Sequence, residues 1–403
     1  MKYQHSDFIK PDSHHPLQVP IYQSVAFEFD SAEDMEAAFT GISADHTYSR
    51  ISNPTVHFFE ERVKNITGAM SVTALNSGMA AISNAVLTLG KAGGNIITSP
   101  HLFGNTFSFF FSTLKSYGVD IRVCDLNQTD QVLALMDAQT CAIFFEVVTN
   151  PQLEVVDIAK LSKIAHEHHI PIIADTTVVP FCAWSATEFG IDIELISSTK
   201  YISGGATSLG GLILDYGHFD WNQTPALSNH AIQFGNQAFT QRLKKEIHRN
   251  IGAYMTPHVA YQQTLGLEIL PLRFEKAAGN CLALAESLSS VPEIVAVNYT
   301  GLKDNPFYEI SSRQFGKYPG AMLTFDLKSK AHCFAFLNKL KVIKRATNLF
   351  DNKTLAIHPA STIFGNFSKE IQTTMDIRDT TIRLSLGIED LECLEKDILN
   401  SLK

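Results

Sequence analysis

Cysteine is scarce in this 403-residue chain, and its six copies, Cys124, Cys141, Cys182, Cys281, Cys333 and Cys393, are scattered. None forms the close pair that zinc sites and redox motifs use, so most of them read as buried free thiols. Charge is thin as well, at 18% of residues with a formal balance of -9. No stretch gathers the Lys and Arg that phosphate neutralisation demands, which argues against nucleic acid and for a small-molecule partner. Long apolar runs are missing too, since none approaches the roughly 20 residues that span a bilayer. Residues 1–20 mix His, Asp, Lys and Pro without the apolar core of a signal peptide, so a cytoplasmic location is expected. Nor is there a Walker or dinucleotide glycine motif, because the spacing of Gly90, Gly93 and Gly94 fits neither.

What is present suits a globular protein with a sizeable core. Apolar residues make up 45% of the sequence, and the length predicts one large and one smaller domain. Asn53-Pro54-Thr55, followed by Val56, Phe59, Val63 and Ile66 and then Gly68, predicts a helix with an N-cap, a first-turn proline and a terminal glycine. A second helix is predicted from Ser77-Gly78 to Gly90, after a strand over Val72–Leu75. Apolar runs then alternate with helical patterns: Asn95–Thr98, Asp120–Cys124, Ala142–Val148, Ile170–Asp175 and Glu194–Ser198. Such alternation predicts an α/β fold whose central sheet is mainly parallel, with helices on both faces.

Gly210–Leu214 follows too closely for a helical crossover and is predicted to pair antiparallel. Near Phe239–Pro257 the pattern changes to a basic helical stretch, Gln241–Asn250, leading to one through Glu268 and Arg273. Beyond it, strands at Gly320–Asp326, Leu355–Ile357 and Thr381–Leu386 and a last helix at Glu389–Leu402 predict a smaller α+β C-terminal domain. The expected divisions are an arm over 1–55, a large domain over 56–255 and a small one over 256–403.

Five places could carry chemistry. Lys200 ends Ile196-Ser-Ser-Thr-Lys200 ahead of a glycine-rich turn, and a desolvated lysine there suits Schiff-base formation. Asp175 closes a strand expected to be buried on both faces, where a carboxylate needs a cationic partner or donors. Ser77, Gly78 and Met79 open a helix, and its first N–H groups form an anion site. Tyr48 and Arg50 present a phenol and a guanidinium two residues apart, and arginine binds phosphate bidentately. Arg383 alternates with Ile382 and Leu384, placing a cation where a carboxylate partner is required. Taken singly, each has a structural alternative: a solvated lysine, a capping carboxylate, an ordinary helix start, or a salt bridge for either arginine.

Together these segments resemble the Cys/Met-metabolism family of pyridoxal-phosphate enzymes, and within it the O-acetylhomoserine sulfhydrylases, over nearly the whole chain. The likeness runs through residues 20–24 and 48–55, Asn76-Ser-Gly-Met-Ala80, Ala174-Asp-Thr-Thr177, Ser197-Ser-Thr-Lys200, 355–362 and 382–389. It implies a fold type I enzyme in which Lys200 carries pyridoxal 5'-phosphate as a Schiff base and Asp175 pairs with the pyridine nitrogen. It also implies that Ser77, Gly78, Met79, Thr177, Ser197 and Thr199 surround the cofactor and that Arg383, with Asn348, takes the substrate carboxylate. Tyr48 and Arg50 are expected to reach the phosphate of a neighbouring subunit in a homo-oligomer, usually a dimer of dimers.

Departures from the family pattern bear on the reaction. Phe103 stands where the family usually stacks a tyrosine on the ring, Ser203-Gly204-Gly205 replaces Gly-Gly-His, and Asn348-Leu349-Phe350 replaces Ser-Leu-Gly. A missing phenol favours a leaving group that needs no acid, which points to O-acetylhomoserine with sulfide or a thiol. The alternatives are a methionine or cystathionine γ-lyase, a cystathionine γ-synthase, and a protein that binds the cofactor without turnover. A metal role for His166, His168 and His169, with His14 and His15, is set against a solvated helix end in which His166 and His169 share a face; no metal is expected.

Overall fold

The computed structural model describes Tyr3, residues 14–224 and residues 226–403. Most of the stretch expected not to be a signal peptide, residues 1–2 and 4–13, therefore lies outside the described residues. Seven strands form the larger sheet: β1 (Ser71–Leu75), β2 (Asn95–Thr98), β3 (Asp120–Val123), β4 (Thr140–Glu146), β5 (Ile172–Asp175), β6 (Ile193–Ile196) and β7 (Gly211–Asp215). Their order is β1-β7-β6-β5-β4-β2-β3. From β3 to β6 all pairings are parallel, and β7 runs antiparallel to both β1 and β6.

Strands β2, β4, β6 and β7 are buried along their whole length, which is why they read as continuous apolar runs rather than alternating ones. Phe145, Ile172 and Ala174 join one core, while Phe144 and Ile173 join the other. Alternate side chains thus supply a hydrophobic layer on each face. Phe144 and Phe145 are fully buried, and truncating either to Ala costs about 3–5 kcal/mol.

The two predicted helices form as their signals dictate. Asn53 accepts from the Thr55 N–H to open Pro54–Thr67, and Gly68, at φ 77, ends it. The Ser77 hydroxyl accepts from the Ala80 N–H to open Gly78–Leu89. Farther on the pattern departs from expectation. The basic stretch is a short helix, Ala238–Arg242, followed by wide turns over Leu243–His248, which place the buried Leu243 and His248 on one side. The next stretch splits at Ile269 into Pro257–Glu268 and Leu270–Leu288, because Pro271 offers no N–H and disfavours a helical residue before it.

Five strands make the second sheet, β8 (Ala296–Asn298), β9 (Met322–Asp326), β10 (Lys344–Arg345), β11 (Leu355–Ile357) and β12 (Thr381–Ser385), ordered β10-β11-β12-β9-β8. The final helix spans Leu391–Leu402, capped by Asp390. No helix among the described residues is long and apolar enough to cross a membrane.

Candidate active site

A cavity of about 840 Å³ opens beyond the carboxyl ends of β4, β5 and β6 and reaches Arg383 on β12. That is where parallel sheets place ligand sites. Strand pairing brings the end of β4 beside the end of β5, with Glu146 in register with Asp175. The Thr177 N–H donates to Asp175 Oδ1 at 2.9 Å, and Thr177 Oγ1 accepts from the Ser197 N–H at 2.8 Å, which ties the ends of β5 and β6 together. Burial raises the Asp175 carboxyl. Burial, reinforced by Asp175, pushes Glu146 up to about 8.

Lys200 sits in the turn that carries β6 into β7 and lines the cavity. Desolvation, with Arg383 second and Asp175 opposing, brings its amine down to about 8. Such an amine is neutral in about a tenth of the molecules at pH 7, against well under a thousandth at its ordinary value, and the neutral form is the one that nucleophilic and base chemistry require. Thr199 exchanges hydrogen bonds with Gly210, accepting from its N–H at 2.9 Å and donating to its carbonyl at 3.1 Å. This clasp fixes the two ends of the lysine turn against each other.

The helix start at Ser77, Gly78 and Met79 also lines the cavity, and its first N–H groups have no intrahelical acceptor. A Cβ on Gly78 would meet Ser197 Cβ at 2.6 Å and Oγ at 2.8 Å. Only glycine lets the helix start approach the turn so closely, and the result is an anion cradle walled by Ser197 and Thr199. Phe103 lines the opposite side, and its backbone N–H donates to Glu146 Oε1.

Arg383 is 2% exposed. Its guanidinium donates to Asn150 Oδ1 at 3.1 Å and to the carbonyls of Thr347 and Asn348 at 3.4 and 3.3 Å, while Nε has no partner. No carboxylate pairs with it among the described residues, which disposes of the internal salt bridge. Burial alone pushes the guanidinium down to about 9. An unpaired cation held in a cavity is a site for a carboxylate.

Sequence reasoning missed Glu146 and Asn150. Glu146 had a signal, a carboxylate at the end of an otherwise apolar strand. Asn150 had none, because its contact with Arg383 spans 233 positions. Tyr48 and Arg50 are not brought to this cavity. Tyr48 makes an isolated antiparallel bridge with Ala26 and Arg50 lies in the turn that follows, with the guanidinium over the Tyr48 ring at 5.5 Å and bonded to the Arg249 carbonyl. The histidine reading also changes: the helix ends at Glu167, and His169, at φ 56, leaves it. His166 and His169 therefore share no helical face, and His166 instead meets Asp192 at 2.9 Å. No metal-ligating cluster occurs among the described residues.

A buried lysine of lowered basicity, a facing carboxylate and a glycine-built anion cradle fit pyridoxal phosphate at every functional end. Fold and site define a fold type I pyridoxal-phosphate enzyme. A model of the Cys/Met metabolism PLP-dependent enzyme family matches residues 4–403, and the chain belongs to that family. It is 33% identical over 397 residues to an O-acetyl-L-homoserine sulfhydrylase of Corynebacterium glutamicum, covering 94% of this chain and 91% of the relative. It is 32% identical over 401 residues to an L-methionine gamma-lyase of Pseudomonas putida, covering 99% and 96%. Among solved structures, an O-acetylhomoserine (thiol)-lyase of Campylobacter jejuni holding N'-pyridoxyl-lysine-5'-monophosphate superposes with a TM-score of 0.95 at 32% identity. The match covers 100% of this chain and 98% of that one.

Proposed function

We propose that this enzyme performs γ-replacement on O-acetyl-L-homoserine, releasing acetate and joining sulfide or a thiol to the carbon skeleton to give homocysteine or a thioether amino acid. The observation that carries this reading is the cavity wall, which among the described residues of this chain contains no tyrosine, histidine or cysteine and whose one raised acid besides Asp175, Glu146, is engaged by the Phe103 N–H. A thiolate leaving group, with a pKa of about 8.5, benefits from a proton donor, whereas a carboxylate near 4 leaves with little help. Phe103 supplies a ring face and no proton. The sulfhydrylase relatives support the same assignment.

In this reading Lys200, Asp175 and the Ser77–Met79 cradle hold pyridoxal phosphate, with Thr177, Ser197 and Thr199 alongside. Bound there, the cofactor supplies the electron sink for charge developing on the substrate carbons. Asp175 would be the partner of the pyridine nitrogen, whose positive charge would offset the burial that raises its carboxyl, and Phe103 would offer the ring an aromatic face. Arg383 grips the substrate carboxylate and so fixes the α-carbon relative to Lys200. The Lys200 Nζ takes the proton from that carbon and afterwards from the β-carbon, then returns them at the end of the cycle. Its lowered basicity lets it act in both directions near neutral pH.

We further infer a homo-oligomer in which Tyr48 and Arg50 complete a neighbour's phosphate site. Two features support it: both side chains lie outside the cavity of their own chain, and apolar residues Val25, Phe39 and Ile42 of the same segment are exposed. The divisions at residues 55 and 255 belong to this reading, with the cofactor on the middle segment.

The test is to incubate the loaded enzyme with O-acetylhomoserine, with and without sulfide, and quantify homocysteine and 2-oxobutanoate. Homocysteine that appears only with sulfide is the expected result. Dominant 2-oxobutanoate in both samples would replace this reading with a γ-lyase.

A further inference from the structure

The loop that carries Asn348 holds an arrangement the reaction as described does not use. Lys200 Nζ donates to Asn348 Oδ1 at 2.9 Å, and Asn348 Nδ2 donates to Asp351 Oδ2 at 3.3 Å. An ammonium only donates and a carboxylate only accepts, so the amide between them has one permitted orientation. Turned over, it would set its NH2 against the ammonium and its oxygen against the carboxylate. Asp351 is itself anchored: its side chain is 4% exposed, and Oδ1 accepts from the Lys353 N–H at 3.1 Å and lies 3.4 Å from Lys353 Nζ. The loop between them is pinned to β12, because the Phe350 N–H donates to Ser385 Oγ at 2.6 Å.

We propose that Asp351 is a positioning residue for proton transfer by Lys200, acting through the side chain of Asn348. The inference rests on the reading of Lys200 as the base, and it changes the part expected of Asn348. One N–H of its NH2 goes to Asp351 and its Oδ1 is turned to Lys200, so Asn348 faces the amine with its acceptor. It therefore serves the amine and leaves the substrate carboxylate to Arg383. A lysine released from the cofactor has four rotatable bonds along its stem, and one fixed acceptor limits where its nitrogen stands while it carries a proton.

The experiment follows exchange of the α-proton of L-norvaline with deuterium oxide by NMR, using the holoenzyme. This amino acid has no γ leaving group, so exchange reports the proton step alone. Asp351→Ala is expected to slow exchange by about tenfold, the factor one lost hydrogen bond is worth, while Asp351→Asn, which keeps an acceptor, stays within about threefold. Asp351→Leu carries the same test if Asp351→Ala does not fold. Cofactor absorbance should be unchanged in each folded variant. The Asn348→Ala/Asp351→Ala double variant should be no slower than Asn348→Ala, since Asp351 acts only through the amide. Wild-type exchange in Asp351→Ala and Asp351→Leu, or a double variant that loses both factors in full, overturns the relay. Exchange that persists in Lys200→Ala would overturn the reading of the lysine instead, so the two failures are separable.

Discussion

Replacing Arg383 with Met should stabilise the cofactor-free protein while crippling the enzyme. Burial holds the guanidinium at about 9 rather than its ordinary 12.5, a displacement worth about 5 kcal/mol against the charged form at neutral pH. The folded chain holds this proton more weakly than the unfolded chain, so the penalty is in force at every pH below about 9. It fades only as pH rises through that value. Met fills similar space without the charge. It abandons three acceptors, the Asn150 Oδ1 and two backbone carbonyls, at about 1 kcal/mol each.

The net gain is about 2 kcal/mol, a rise of about 2–3 °C in Tm for a chain of this size. In the assay, kcat/KM for O-acetylhomoserine should fall by about 100-fold or more, because a charge-assisted grip on the carboxylate is gone. Thermal unfolding of the two cofactor-free proteins at pH 7, run beside the kinetics, decides the matter. A lower Tm in Arg383→Met would refute the reasoning, for it would mean that the guanidinium has a stabilising partner within the protein.

Glu146→Gln should stabilise the cofactor-free protein in a pH-dependent way. The folded carboxyl sits at about 8 rather than 4.5, so wild-type stability falls as pH rises from about 5 to 8, and the Tm advantage of the variant should widen over that interval and then level off. An advantage that is flat from pH 5 to 9 would contradict this. Gly78→Ala should fold yet bind pyridoxal phosphate at least about tenfold more weakly, because its Cβ would lie 2.6 Å from that of Ser197; equilibrium titration of cofactor absorbance measures it. Phe103→Tyr returns a proton donor to the wall, and 2-oxobutanoate formation from methionine should rise about tenfold or more. An unchanged rate would show that the missing phenol does not set the leaving group.

Much of the fold was legible because its signals are local. Asn53, Pro54 and Gly68 announce a helix within sixteen residues, and the short span from Lys200 to β7 leaves room for nothing but an antiparallel return. Lys200, Asp175 and the Ser77 helix start were legible for the same reason, since each ends or begins an element whose pattern is clear. The rest depends on partners far away in sequence. Strands β8 and β10 have three and two residues and form the edges of their sheet, too short to show a period. Whether Arg383 had an internal carboxylate partner could not be read from its own strand. Phe350 shows the same limit: it adopts φ 53 where the family usually has glycine, and its ring stacks on Tyr201 at 4.2 Å. The left-handed backbone is thus tolerated through a contact between residues 149 positions apart.

Lys200 hangs from the larger sheet and Arg383 stands on the smaller one, joined across the gap by Asn150 and Asn348. The pair works as a caliper whose jaws belong to different parts of the molecule. In the proposed reaction it would measure one fixed interval of an amino acid, from carboxylate to α-carbon, and take no reading of what lies beyond. Retuning the enzyme to a different side chain is therefore a matter of the walls around Phe103, Leu209 and Ile363, whereas shifting one sheet against the other spoils the measurement for every substrate alike.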